Sequence, residues 1–272
     1  MAWPWLSAFA TDNATNQPAP APALRSFDII KPLAEKGDSA AQADLGICYI
    51  NGDGVKKDLQ EALKWFRKAA EQGNPAGQQN LGMCYYQGEG VPKNLAEAAK
   101  WFRKAAEGGD PNAEYDLGVC YANGEGLTKD PPEAVRWFIK SATHGNPSAQ
   151  FDLAICYDMG TGVFRDPPSA ARWYREAAAQ GDPAAQFKLA VHLEAGDGIP
   201  KNLPEAAKWY RQAAERGLGV TNDLVEACKW LTLAAFQKVE NSTNALALLK
   251  KMMTTAQIAE AQRRARAFTT KP

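Results

Sequence analysis

The 272-residue chain carries 31 Lys and Arg against 31 Asp and Glu, so its overall field favours neither a nucleic-acid backbone nor an anionic membrane surface. Apolar residues at 45% and charged residues at 23% predict a folded chain with a substantial core. No apolar run reaches the roughly 18 residues that a membrane-spanning helix needs.

Residues 1–23 read as a flexible leader or a processed segment. MAWPWLSAFA is apolar and ends on Ala8 and Ala10, but it lacks a basic stretch, and TDNATNQPAPAP from Thr11 is polar and proline-rich. A truncated export signal would place the protein in a bacterial periplasm or outside the cell; without one the cytoplasm is expected. Residues 24–37 are expected to form an N-terminal capping helix.

Residues 38–217 are five repeats. Trp65, Trp101, Trp137, Trp173 and Trp209 follow one another at 36 residues, as do Leu45, Leu81, Leu117, Leu153 and Leu189. Within a unit, Ala113, Leu117, Cys120 and Tyr121 fall at helical intervals and mark helix A. Asn74, Asp110, Asn146 and Asp182 each precede a proline, the pattern of an N-cap with Pro at the first helical position. Helix A stops at Gly52, Gly88, Gly124, Gly160 and Gly196, each followed two residues later by another glycine. These G-x-G pairs follow helices and lack a Walker lysine, which argues against phosphate binding.

Helix B begins after Asp58, Asn94, Asp130, Asp166 and Asn202. Glu61, Glu97, Glu133 and Glu205 stand three residues on as expected reciprocal caps, with Ser169 the departure. Trp65, Ala62 and Ala69 are expected to form its buried stripe, with Lys64, Arg67 and Lys68 towards solvent. Such a short pair cannot bury enough surface alone, so the pairs must stack. The predicted fold is all-α, a right-handed superhelical solenoid of stacked antiparallel helix pairs, or alpha-alpha superhelix. Trp230 follows Trp209 by only 21 residues, which predicts a truncated repeat over 218–236 without its helix A. Capping helices are expected over 237–268, with Thr254 and Gln257 forming a cap, before a tail at 269–272.

The order A-x-x-x-L-G-x-x-Y, G-x-G-V, E-A-x-x-W-x-x-x-A-A-x-x-G, seen in AGQQNLGMCYYQGEGV from Ala76 and EAAKWFRKAAEGG from Glu97, resembles the Sel-one-like (Sel1) repeats, relatives of the tetratricopeptide repeats. The resemblance implies an adaptor that assembles protein complexes and needs no cofactor. One branch of the family carries a disulfide in each repeat and has been linked to penicillin binding or beta-lactam hydrolysis. This chain departs from that branch: Cys48, Cys84, Cys120 and Cys156 occur once per unit in one phase, and equivalent atoms of stacked helices lie about 10 Å apart, too far for a disulfide. Buried thiols are expected, Cys228 included.

Catalytic groups are scarce. His144 and His192 are the only histidines; the first is placed at a helix C-terminus, where a cation is favourable, and the second in core or rim. No G-x-S-x-G elbow, S-x-x-K pattern or histidine pair supplies a nucleophile or a metal site. Asp44, Asp116 and Asp152 recur down the array and are expected at equivalent surface positions. An enzyme is therefore not expected. A cell-envelope enzyme with beta-lactam-related activity and a cell-wall glycan-binding module remain as alternatives, the latter using Tyr86, Tyr115 and Phe151 for stacking.

By analogy with the tetratricopeptide groove, four positions of each helix A form ladders on a concave face. The inner two begin at Ala43 and Ile47 and are expected either in core or partly exposed. The outer two hold Ile50, Tyr86, Ala122, Asp158 and Glu194, then Asn51, Gln87, Asn123, Met159 and Ala195. Tyr86, Gln87, Tyr115, Asn123, Phe151, Asp158, Met159, Phe187 and Glu194 are the candidate contacts for a protein or peptide. Asp158 and Glu194 are expected to repel acidic partners and favour basic or mixed ones.

Overall fold

The computed structural model describes residues 27–215 and 253–269, together with 225, 228, 229, 232, 233, 235, 243, 246, 247 and 250. Trp230, the truncated repeat built around it, the leader and most of the first C-terminal capping helix lie outside the described residues. Contacts divide the chain after Asn146 into two compact units.

Unit 1 holds α1 (Phe27–Glu35) and three antiparallel pairs: α2 (Ser39–Asn51) with α3 (Leu59–Glu71), α4 (Pro75–Gln87) with α5 (Leu95–Glu107), and α6 (Pro111–Asn123) with α7 (Pro131–Thr143). Unit 2 holds α8 (Pro147–Met159) with α9 (Pro167–Ala179), α10 (Pro183–Ala195) with α11 (Leu203–Glu215), and α12 (Thr255–Thr269). Each unit is a length of helical solenoid in which consecutive helices pack.

Helix boundaries follow the chemistry read from the sequence. The Asn74, Asp110 and Asp182 side chains accept from the backbone N–H three residues on, with Pro next in line. Gly52, Gly88, Gly124 and Gly196 close the A helices at φ between 77 and 84°, a conformation that costs any other residue strain. The Thr254 cap forms in full: its N–H donates to the Gln257 side chain at 2.8 Å, and Gln257 N–H donates back to the Thr254 hydroxyl at 3.3 Å.

The B helices cap differently from expectation. Asp58, Asn94, Asp130 and Asp166 accept from the first-turn N–H groups. Their own N–H groups already donate to the carbonyls of Tyr49, Tyr85, Tyr121 and Tyr157 at 2.8 or 2.9 Å, which ties each B helix to the last turn of its A helix. No donor is left for a reciprocal bond. Glu61, Glu97 and Glu133 pair instead with Lys64, Lys100 and Arg136.

The core aromatic of each B helix is the residue after the tryptophan. Phe66, Phe102, Phe138, Tyr174 and Tyr210 are essentially inaccessible, whereas Trp65, Trp101, Trp173 and Trp209 are half-buried. Lys68, Lys104 and Lys140 lay their ammonium groups 3.9 to 4.0 Å from the ring centres of Trp65, Trp101 and Trp137. A lysine stem thus shields indole surface while its charge stays in water.

In unit 1 the buried rings fit because the facing helix-A residue is glycine. A methyl carbon at Gly46, Gly82 or Gly118 would lie 2.4 to 2.7 Å from Phe66, Phe102 or Phe138, far inside contact distance. The same two positions in unit 2 hold Ala154 with Tyr174 and Ala190 with Tyr210.

A buried polar ladder completes each unit. Gln42, Gln78 and Gln186 donate to the carbonyls of Ala34, Ala70 and Ala178 in the preceding B helix at 3.1 to 3.3 Å. Gln72 and Gln180 donate to the side-chain carbonyls of Gln42 and Gln150. In the 111–146 repeat both members change together: Glu114 replaces the inner glutamine, and His144, the C-cap of α7, lies with its Nδ1 at 2.8 Å from Glu114 Oε2. The carboxylate is an acceptor, so Nδ1 donates.

Candidate protein-binding faces

The A helices place the candidate residues in two groups, one per unit. In unit 1, Tyr86 is half-buried on α4 and its hydroxyl donates to Glu125 Oε2 at 2.7 Å, in the loop after α6. Asn123 reaches the other oxygen of the same carboxylate at 3.3 Å. Burial and the Glu125 carboxylate both push the Tyr86 phenol up, so it remains a donor. Gln87 is exposed. Tyr115 is half-buried with its ring centre 5.8 Å from that of Phe138, and it helps to cover the core.

Asp116 and Asp152 are 6% and 5% exposed, so the surface placement expected for them is wrong; Asp44 alone of that series is exposed. Periodicity could not separate the cases, because burial depends on what the neighbouring helix offers. Asp116 is covered by α4, whose Gln79 donates to it at 2.9 Å, and burial raises its carboxyl to about 7. This buried acid between α4 and α6 is the feature that the sequence reading missed.

In unit 2 the two candidate carboxylates are not open to a partner as expected. His192 Nδ1 lies 2.9 Å from the Asp197 carbonyl and must donate to it, while its Nε2 faces Asp158 Oδ1 at 3.6 Å. The Tyr174 hydroxyl is buried beside Asp158 without reaching full hydrogen-bond geometry, and burial first, then the acids, push it up. One repeat further on, the Tyr210 hydroxyl donates to Glu194 at 2.8 Å and Lys229 Nζ lies 3.4 Å from the same carboxylate. Each acid therefore has a tyrosine and a basic side chain of its own unit beside it. Phe151 and Phe187 are half-buried against Tyr174 and Tyr210. Met159 is 61% exposed, and Phe164, in the loop that follows, is 92% exposed.

The inner ladders divide rather than adopting one environment. Ala43, Val119 and Ile155 are buried, Met83 is half-buried, and Ile47 and Val191 remain partly exposed. The five cysteines are buried and unbonded, and burial raises the Cys84 thiol to about 11, which leaves it protonated and unreactive. Among the described residues no cluster of His, Cys, Asp and Glu could hold a metal ion, and no helix is long and apolar enough to cross a membrane.

Such units define a helical repeat scaffold that displays varied side chains along equivalent A-helix positions. The Sel1 repeat model matches residues 39–74, 75–110, 111–146, 147–182, 183–218 and 215–235, and the chain belongs to the Sel1 repeat family. A Sel1 repeat protein from Oxalobacter formigenes is similar, with 34% identity and a TM-score of 0.68 over 79% of this chain and 96% of that one. The protective antigen c5321 of uropathogenic Escherichia coli, which has an SLR fold, is 30% identical with a TM-score of 0.69 over 90% of this chain and 57% of its own. A 50-residue stretch is 42% identical to the secretory immunoglobulin A-binding protein EsiB of Escherichia coli; it spans 18% of this chain and 10% of that relative.

Proposed function

We propose that this protein is a non-catalytic scaffold that holds a protein or peptide against its A-helix faces. The observation that carries this reading is the contrast between constant and varied positions. The core positions of each A helix repeat almost unchanged, while the last two residues run Ile50–Asn51, Tyr86–Gln87, Ala122–Asn123, Asp158–Met159 and Glu194–Ala195. Apart from buried Ala122 these sites are half-buried or exposed, where a purely architectural array has no physical need for such variety, whereas a binding face uses it to distinguish one partner sequence from another. The Sel1 repeat fold is typical of protein-interaction scaffolds. The short match to an immunoglobulin-binding protein agrees with a protein ligand.

A photo-crosslinking residue at exposed Gln87 or Met159 is expected to capture partner protein, and the same residue at exposed Lys68 or Lys140 on the B helices is not. Adducts formed only from the B-helix positions would sink the reading.

A further inference from the structure

Charge is sorted between the two helix types of unit 1. The A helices α2, α4 and α6 contain no Lys or Arg, whereas α3, α5 and α7 carry Lys64, Arg67, Lys68, Lys100, Arg103, Lys104, Arg136 and Lys140. Ion pairs among the described residues of unit 1 follow the same division. They run along α1, α3, α5 and α7, and the one that reaches an A helix joins His144 to Glu114.

The donors that meet the acids between α4 and α6 are neutral. Gln79 donates an amide to Asp116; Tyr86 and Asn123 donate a phenol and an amide to Glu125. Neutral donors satisfy lone pairs without cancelling charge. In unit 2 a basic side chain of the chain itself stands at each acid, His192 3.6 Å from Asp158 and Lys229 3.4 Å from Glu194. A carboxylate at the depth of Asp116 without a cation destabilises its own fold, and a cation brought by a ligand offsets that cost.

We propose that the α4/α6 part of this face, formed by Gln79, Met83, Tyr86, Asn123 and Glu125 over Asp116, receives an arginine- or lysine-bearing protein segment. This rests on the scaffold function proposed above and specifies its partner. The cation sits at the Glu125 carboxylate; the Tyr86 ring is already met by Lys93, whose Nζ lies 5.6 Å from the ring centre. The Asp116 carboxyl beneath, raised to about 7 by burial, adds to the field as it ionises. A neighbouring apolar side chain of the ligand covers Met83. Acidic segments and nucleic-acid phosphates are repelled by the same groups.

The test is fluorescence anisotropy on the full chain with a labelled dodecapeptide of alternating arginine and leucine, against the same peptide with glutamate for arginine. The arginine peptide is expected to bind roughly tenfold more tightly or better at physiological salt. Glu125→Gln alone, at a half-exposed rim site, and together with Asp116→Asn should each weaken it, the pair by roughly fivefold or more. Glu71→Gln with Glu107→Gln, exposed on the B helices α3 and α5, should change it less than about twofold. The isosteric replacements keep the Tyr86 and Gln79 bonds, and circular dichroism verifies folding. No binding of the arginine peptide, equal binding of the glutamate peptide, or unchanged affinity in Glu125→Gln overturns the proposal. The crosslinking experiment is indifferent to ligand charge, so acidic segments captured at Gln87 would leave the scaffold function standing while this inference fell.

Discussion

Units 1 and 2 solve the same packing problem with different residue sets. In unit 1 a helix-A glycine faces a phenylalanine, at Gly46 with Phe66, Gly82 with Phe102 and Gly118 with Phe138. In unit 2 the pair becomes alanine and tyrosine, and the added hydroxyl brings an acid with it, Asp158 or Glu194. Tyr210 donates to Glu194, Tyr174 lies beside Asp158 without a full hydrogen bond, and a basic side chain, Lys229 or His192, stands next to each acid. A buried polar atom must be answered, and the answer must be answered again. Unit 1 has no such hydroxyl: Glu114 on α6 meets His144, while Asp116, and Glu125 in the loop after α6, meet neutral donors. The difference separates acids that hold a fold together from acids that can serve a ligand.

The comparison is broken most forcefully by emptying one of the buried ring sites. Phe102→Ala is expected to cost roughly 3 to 5 kcal/mol in urea unfolding, from lost burial plus the cavity left behind. A loss under about 1 kcal/mol would mean that the ring is not a core element. Filling the facing glycine is the next test. Gly118→Ala should destabilise by about 1 to 3 kcal/mol because its new methyl meets Phe138, although alanine is the better helix former. The reverse change in unit 2, Ala154→Gly, should cost only about 1 kcal/mol. Equal effects would erase the distinction between the two packings.

Asp116 sharpens the electrostatic half of the comparison. Burial raises its carboxyl from 3.8 to about 7, so the folded chain holds this proton more tightly than the unfolded chain. Its stabilising contribution is complete below about pH 4 and is lost as pH rises through about 7. Asp116→Asn should remove that loss and leave the variant more stable than the parent at pH 8 by roughly 1 to 3 kcal/mol. Parallel stability profiles from pH 4 to 8 would contradict it. The smallest effect concerns a cap: Asn94→Ala should cost about 1 kcal/mol, since Asn94 accepts from the Glu97 N–H.

Much of this fold was legible because capping chemistry and periodicity are local. Proline after Asn or Asp, the repeated glycines and the 36-residue interval specify helix ends without reference to a neighbour. The interval also marks the tryptophans, yet the residue after each is the more deeply buried, because a large ring with a polar edge can be shielded by a lysine three residues on as well as by burial. The candidate site was less legible. Tyr86 meets its acceptor 39 residues further on, in the loop of the next repeat, and Gln79 meets Asp116 across 37. Asp158 and Glu194 read as open charges until the histidine and lysine that answer them are placed. Burial of Asp116 follows from a helix that precedes it by a whole repeat, which no local pattern records.

The central claim is that partners are held by the A-helix faces. It is tested most directly by titrating crosslink-identified partner protein against two charge-changing variants of the full chain. Gln87→Arg with Met159→Arg alters exposed A-helix positions, and Lys68→Glu with Lys140→Glu alters exposed B-helix positions. The account predicts that the first pair weakens binding by roughly tenfold or more and the second by less than about twofold, with helical content unchanged in both. Binding lost in the B-helix pair and kept in the A-helix pair would contradict it.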